Sequence, residues 1–230
     1  MPILTTTSLP EIQAALRAAG LDGWLLYDFR GLNPIAQQVI GLPGPLSRRI
    51  FVLVPAVGVP VALTHNIEQG AWRDWPAGWD RERYSAWVDL EGWLARHIAG
   101  RRVAMEYSSG DAVPYLDRVP AGVLEMVRAA GATVVSSGEL VSRFYAVWTP
   151  AQLAAHQRAA VHVAAIGQAA LRDTGAAVRR GEVIHEHDVQ ASILAAFARA
   201  GLETYAPPNV SVGAHAADPH YEPSAERPAR

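Results

Sequence analysis

The chain has 230 residues, of which half are hydrophobic and 18% are charged, and this globular composition suits one large domain or two small ones. The formal net charge is −2 and the arginine pairs are isolated, so the charge gives no reason to expect nucleic acid or an anionic membrane as a partner. Cysteine is absent, which excludes disulfides, thiolate nucleophiles and cysteine-based zinc sites.

Residues 1–13 show no targeting signal. They lack the positively charged start and the apolar core of a signal peptide. No segment of the chain approaches the roughly 18 consecutive apolar residues that a membrane span needs. We therefore expect a soluble, cytoplasmic protein.

The first part of the chain alternates helical and strand patterns. Ser8 precedes LPE and is the candidate cap of a helix that we expect to end at Gly20. The apolar run GWLLYDF at 23–29 is typical of a buried strand. Two runs rich in β-branched residues within 48–65 flank PAVGVP, which predicts a β-hairpin.

Tryptophan is concentrated in the middle of this part. Aromatic side chains bury a large area, so these residues are interpreted as core packing that holds a loop to the sheet. A ligand platform or a subunit contact is the alternative. The residues are Trp72, Trp75, Trp79, Trp87 and Trp93.

The α and β patterns continue to alternate after the tryptophans. Residues 89–100 and 119–131 have helical patterns, and 101–107 and 132–137 are typical of strands. Alternation of this kind predicts a layered α/β domain.

The pattern changes near residue 148, where we place a domain boundary. Thr149 and Pro150 predict a strong helix start, because the hydroxyl can cap the helix and proline is favoured at its first position. This helix is expected to run for about 25 residues to Gly175. A second helix is predicted at 186–201.

The start of the second helix carries the histidine-rich sequence HEHD. His185 and His187 are two positions apart, so on a helix their side chains diverge and do not form a ligand pair. Position 189 is valine, so the His-Glu-x-x-His pattern of zinc proteases is not present. We expect Glu186 and Asp188 to complement the helix dipole instead.

The sequence DPHYEP near the end of the chain is a candidate site. Asp218, His220 and Glu222 alternate, so an extended backbone would place them on one face. Pro219 and Pro223 disfavour a regular strand. The segment is therefore open to three interpretations: a metal site of its own, a solvated loop, or part of a larger active site.

From Thr149 onward the sequence resembles the creatinase/prolidase/Xaa-Pro aminopeptidase family of pita-bread metallopeptidases. The resemblance depends on two helical stretches, TPAQLAAHQRAAVHVAAIGQAAL and RRGEVIHEHDVQASILAAFARAGL, and above all on PPNVSVGAHAADPHYEP. It implies that 1–148 is a creatinase-type N-terminal α/β domain with ribonuclease-H-like layering. It further implies that 149–230 contains the first helices and strand of a pita-bread α+β catalytic domain.

The resemblance also implies a reaction. The family hydrolyses the peptide bond before proline with two divalent metal ions, for which manganese, cobalt and zinc are the candidates, bridged by a hydroxide. His220 matches the family's histidine that lines the substrate pocket and hydrogen-bonds the reacting peptide, and Tyr221 is its neighbour in substrate binding. Proline-containing peptides are the implied substrates, and a homo-oligomer is expected.

The family's metal ligands (two Asp, one His and two Glu) all follow this loop, whereas this sequence ends at Arg230. Asp218, Glu222 and Glu226 are in the wrong place to substitute for them. We therefore expect that the chain is truncated before the metal ligands, binds no metal and is inactive alone. Its two helices should then expose apolar faces, so that residues 150–200 self-associate or pack loosely.

Two other interpretations stay open. The chain could be a non-catalytic binding or oligomerisation module that uses its N-terminal domain and tryptophans. It could also be an unrelated α/β enzyme with a site formed by Asp218, His220 and Glu222.

Overall fold

The computed structural model describes residues 2–44 and 46–225. The chain divides into two compact units, Met1–Val147 and Trp148–Arg230. Within the described ranges, no helix is both long enough and apolar enough to cross a membrane.

A mixed β-sheet forms the centre of the first unit. Its strands have the order β4-β3-β2-β1-β5-β6, in which β2 is antiparallel to β1 and β3 and the other neighbouring pairs are parallel. The predicted buried strand, the hairpin and the two later strands are confirmed. The strands of this part of the described chain are β1 (Gly23–Asp28), β2 (Ile50–Pro55), β3 (Val61–His65), β4 (Asp80–Tyr84), β5 (Arg102–Met105) and β6 (Thr133–Ser136).

Helices cover both faces of this sheet, as expected for a layered α/β unit. On one face α1 (Leu9–Ala18) and α2 (Pro34–Ile40) pack against a core that includes Trp24 and Leu26. On the other face α3 (Trp87–Ile98) and α4 (Ala121–Ala129) pack against a core that includes Leu25. Consecutive residues of β1 thus enter opposite cores, which explains why this strand is apolar without alternation. The mixed α/β fold is confirmed.

The start of α1 differs from the prediction in one respect. Ser8 occupies the capping position, but its hydroxyl makes no cap hydrogen bond to the helix. It accepts from the Thr5 amide at 2.9 Å and donates to the Ile3 carbonyl instead. The serine therefore stabilises the turn before α1. The helix stops before Gly20, whose φ of +62° is readily adopted by glycine.

The packing interpretation of the tryptophans is confirmed for Trp72, Trp79 and Trp93, which are buried. Trp75 bridges two of them, with edge-to-face ring distances of 5.4 Å to Trp72 and 5.0 Å to Trp79. Trp87 is half exposed, and the Arg49 guanidinium lies 4.9 Å from its ring centroid. Trp72, Trp75 and Trp79 hold the segment between β3 and α3 to the sheet, whereas Trp93 packs α3 itself against the other face.

The second unit begins with α6 (Pro150–Arg179), which follows a short helical turn, α5 (Gly138–Leu140), at the end of the first unit. Thr149 and Gln152 form the predicted start as a reciprocal capping box. The expected end at Gly175 is wrong: the helix continues to Arg179, because an isolated glycine costs a helix only about 1 kcal/mol. The second predicted helix is confirmed as α7 (Glu186–Arg199).

The segment after α7 differs from the expectation. Among the described residues of the second unit there is no β-strand, so the strand expected before the DPHYEP loop is not formed. A strand needs a neighbouring strand to pair its backbone N–H and C=O groups, and this part of the chain supplies none.

Apolar side chains on α6 are exposed. Within the described residues Ala177 is the one buried position of this helix, while Leu153, Val161 and Leu171 are at least 45% exposed. Exposed apolar faces of this kind match the expectation from the sequence. The self-association of residues 150–200 stays a prediction.

Candidate functional site

The segment that carries His220 and Tyr221 is a compact turn. A short 3₁₀ helix at Gly213–Ala217 leads into it. The Asp218 carboxylate then accepts a hydrogen bond from the His220 backbone amide at 2.9 Å, and the Asp218 carbonyl accepts one from the Tyr221 amide at 3.2 Å. Asp218 therefore stabilises the turn that presents the two neighbouring side chains.

Glu186, at the first position of α7, holds this segment in place. Its carboxylate accepts hydrogen bonds from the Val212 backbone amide, from the Tyr221 hydroxyl at 2.7 Å and from His215 Nδ1 at 3.0 Å. The residue is 5% exposed. We call residues 212–221 the clamped loop, because both of its ends are bonded to this one carboxylate.

The sequence prediction for Glu186 was therefore incomplete. Its neighbour Asp188 does act at the helix start, where its carboxylate accepts a hydrogen bond from the His185 amide at 3.3 Å. Glu186 instead directs its carboxylate to the clamped loop. No spacing rule could have identified this contact, because Glu186 is 26 residues from Val212 and 35 from Tyr221.

The electrostatics of Glu186 favour its charged form. Burial alone would raise the pKa of this carboxyl, but hydrogen bonds from Tyr221, His215 and the Val212 amide outweigh it. The pKa is consequently held below its ordinary value. A charged acceptor also makes each of these hydrogen bonds stronger than a neutral one would be.

Ring stacking reinforces the clamp. His215 stacks on Tyr221 with 4.2 Å between ring centroids and 24° between planes. Tyr221 is thus fixed at its ring by His215 and at its hydroxyl by Glu186, whereas His220 is exposed. The loop therefore immobilises the tyrosine and leaves the adjacent imidazole accessible to a ligand.

Asp218, His220 and Glu222 are not grouped as metal ligands in this structure. Residues 2–44 and 46–225 contain no group of three or more His, Cys, Asp or Glu side chains placed to hold a metal ion. The interpretation of Asp218, His220 and Glu222 as a separate metal site is wrong for this structure. Glu226 lies outside the described residues. The two metal ions that the resemblance implies have no ligand set in the described part of the chain.

Comparison with known proteins supports the fold. No family model and no curated protein match the chain. Among solved structures, it is similar to a dipeptidase from Mycobacterium ulcerans, with a TM-score of 0.66 and 22% identity over 97% of this chain and 57% of that one.

Two further structures give the same result. A prolidase from Thermococcus sibiricus matches with a TM-score of 0.57 and 15% identity over 96% of this chain and 57% of that one. An Xaa-Pro dipeptidase from Bacillus anthracis matches with a TM-score of 0.52 and 13% identity over 85% and 50%. The chain thus shares its fold with prolidases and Xaa-Pro dipeptidases and spans about half the length of the structures it matches.

Proposed function

We propose that this chain provides the N-terminal domain and the substrate loop of an Xaa-Pro metallopeptidase, an aminopeptidase or dipeptidase that hydrolyses the peptide bond before proline. The observation that carries the proposal is the clamped loop, which presents the family-matching residues His220 and Tyr221 from a fixed turn. The shared fold with dipeptidase and prolidase structures supports it at the level of architecture.

His220 is proposed to contact the reacting peptide directly. An imidazole can donate a hydrogen bond from one ring nitrogen and accept one at the other, so it suits a peptide carbonyl or amide. Preorganised donors are effective when their positions do not have to change during the reaction. The Asp218 bond to the His220 amide supplies that preorganisation at the backbone.

Tyr221 is proposed to line the same pocket with its ring. Its hydroxyl donates to Glu186, so it is not free to act as an acid toward substrate while the clamp is closed. The ring instead offers a flat apolar surface, which suits the pyrrolidine ring of a proline residue.

The metal ions of the family would polarise the scissile carbonyl and generate hydroxide when bound. The described residues do not supply a ligand set for such a pair. Hydrolysis by these 230 residues in isolation is not expected.

The experiment that tests the proposal begins with the gene product as its own organism makes it, whose intact mass is compared with 24.7 kDa. The protein is then incubated with Mn²⁺ and either Ala-Pro or Ala-Ala. Cleavage of Ala-Pro but not of Ala-Ala is expected. A product of 24.7 kDa, or a heavier product that cleaves both dipeptides equally or neither, would overturn the proposal.

A second candidate is a non-catalytic oligomerisation module, favoured by the exposed apolar side chains of α6. Light scattering coupled to size exclusion tests it. Replacing Leu153, Val161 and Leu171 by glutamine should convert an oligomer to a monomer. A chain that is monomeric before substitution would refute this candidate.

A further inference from the structure

The sheet of the first unit has a topological switch point between β1 and β5. From β1 the chain continues to β2 on one side, and β5 and β6 lie on the other side, parallel to β1. The connections that leave the carboxyl ends of such strands diverge and open a crevice, which is where ligands bind in open α/β sheets.

A cavity of about 650 Å³ lies at this edge. Its volume is within the roughly 300–1,000 Å³ typical of small-molecule pockets. The lining residues come from the segments that follow these three strands: 34–35 after β1, 113–118 after β5 and 136–146 from the end of β6 onward. We call this cavity the switch-point crevice.

The backbone in and near the switch-point crevice has unusual conformations. One wall contains a π-helix, Val141–Tyr145, a rare structure that occurs often at functional sites. Asp111 and Arg30 lie in the connections after β5 and β1, outside the lining residues, and have φ angles of 54° and 58°. Residues other than glycine rarely adopt such angles, and they concentrate at binding sites.

A buried carboxylate ties the three walls together. Glu106, which follows β5 and is fully buried, accepts from Trp24 Nε1 at 2.6 Å, Asn33 Nδ2 at 2.8 Å and Ser137 Oγ at 3.1 Å. Asn33 and Ser137 are direct chain neighbours of lining residues. Burial raises the pKa of Glu106, and these hydrogen bonds oppose it. The network holds the segments after β1, β5 and β6 to one another before any ligand arrives.

The lining combines apolar side chains with opposite charges. Ile35, Leu116 and Val141 supply the apolar surface. Arg118 is oriented by the bond from its Nε to the Tyr115 carbonyl at 2.9 Å, and Glu139 is exposed. Among the described residues neither Arg118 nor Glu139 forms an ion pair, so both charges are available to a ligand.

The geometry points to a binding site for a small zwitterion, an α-amino acid with an apolar side chain. Its carboxylate binds Arg118, which suits planar carboxylates, and its ammonium group binds Glu139. Its side chain lies on the apolar surface. This site is formed by the first unit and does not depend on the proposed peptidase function.

The test is isothermal titration calorimetry of the full chain with L-phenylalanine as the probe. The probe is raised to about 10 mM, where a ligand with a Kd of about 1 mM would be nearly saturated. Two analogues separate the charges: 3-phenylpropionate lacks the ammonium group, and phenethylamine lacks the carboxylate. Each is expected to bind at least about tenfold more weakly, because each loses a charge-assisted hydrogen bond.

Variants locate the site. Arg118→Gln should weaken phenylalanine binding about tenfold or more, whereas Arg83→Gln, on the opposite edge strand β4, changes the net charge equally and should have no effect. Ser142→Phe fills the crevice from an exposed position without removing a described contact. It should abolish phenylalanine binding, and it tests the site even if Arg118→Gln fails to fold. Absence of binding, equal binding of the analogues, or binding unaffected by Ser142→Phe would overturn the assignment.

Discussion

Replacing Glu186 by alanine should release the clamped loop. The substitution leaves the Val212 amide, the Tyr221 hydroxyl and His215 Nδ1 without their shared acceptor. A hydrogen bond to a charged group contributes about 1.5–3 kcal/mol, which corresponds to a factor of roughly 10 to 150 in an equilibrium constant. Val212 is partly exposed, so we expect the lower half of this range.

Hydrogen–deuterium exchange of the Val212 amide measures this release directly, because this amide donates to Glu186. Its exchange should accelerate by at least about tenfold in Glu186→Ala. Glu186→Gln keeps an acceptor oxygen but also presents an NH₂ group to a set of donors, so an intermediate rate is expected.

Asp188→Ala is the matched control. It removes a carboxylate from the same helical turn, one that bonds the His185 amide and makes no described contact with the loop. The Val212 exchange rate should stay as in the wild type. If the Glu186→Ala chain exchanges Val212 no faster than this control does, the clamp does not hold the loop and our reasoning about the site is wrong.

Three further predictions concern pH and stability. Burial raises the pKa of Tyr84 to about 12. The stability that this tyrosine contributes should therefore be complete below pH 10 and be lost as pH rises through about 12. An absorbance titration of the tyrosines should show an ionisation step near pH 12 that Tyr84→Phe removes. Thr149→Ala should destabilise the start of α6 by about 1 kcal/mol, seen as faster exchange of the Gln152 amide, and an unchanged rate would refute the capping box. Trp93→Ala empties a fully buried position and should lower the free energy of unfolding, measured by urea denaturation, by about 3–5 kcal/mol. A decrease below about 1 kcal/mol would contradict the packing.

Strong local signals made much of the fold predictable. The run GWLLYDF is apolar without alternation because β1 is buried on both faces. The hairpin follows from two β-branched runs around PAVGVP, and Thr149-Pro150 marks the start of α6 because capping chemistry depends on residues close in sequence.

Among the elements that the sequence did not reveal, β4 and α2 were missed for identifiable reasons. β4 has the sequence DRERY and lies at the edge of the sheet. Among its five residues only Tyr84 is buried, so the charged sequence lacks the apolar pattern that indicates a strand. α2 spans seven residues, too few for a helical period to stand out, although Asn33 and Pro34 form a capping start that could have indicated it.

The candidate site was predictable only in part. His220 and Tyr221 were identified through their resemblance to a family motif, whereas Glu186 and His215, which hold their loop, were not. Contacts between positions about 30 residues apart depend on how α7 packs beside the loop, and no pattern in a single sequence records that. For the same reason the switch-point crevice could not be anticipated from residues that lie in three separate segments.

The most direct test of the proposed function is the kcat/KM for Ala-Pro of the native gene product carrying His220→Ala. If His220 hydrogen-bonds the reacting peptide, the variant should lose about 100-fold or more. His162→Ala, which removes an exposed histidine of α6, should leave the value unchanged. A His220→Ala protein that cleaves Ala-Pro as fast as the wild type would contradict the account.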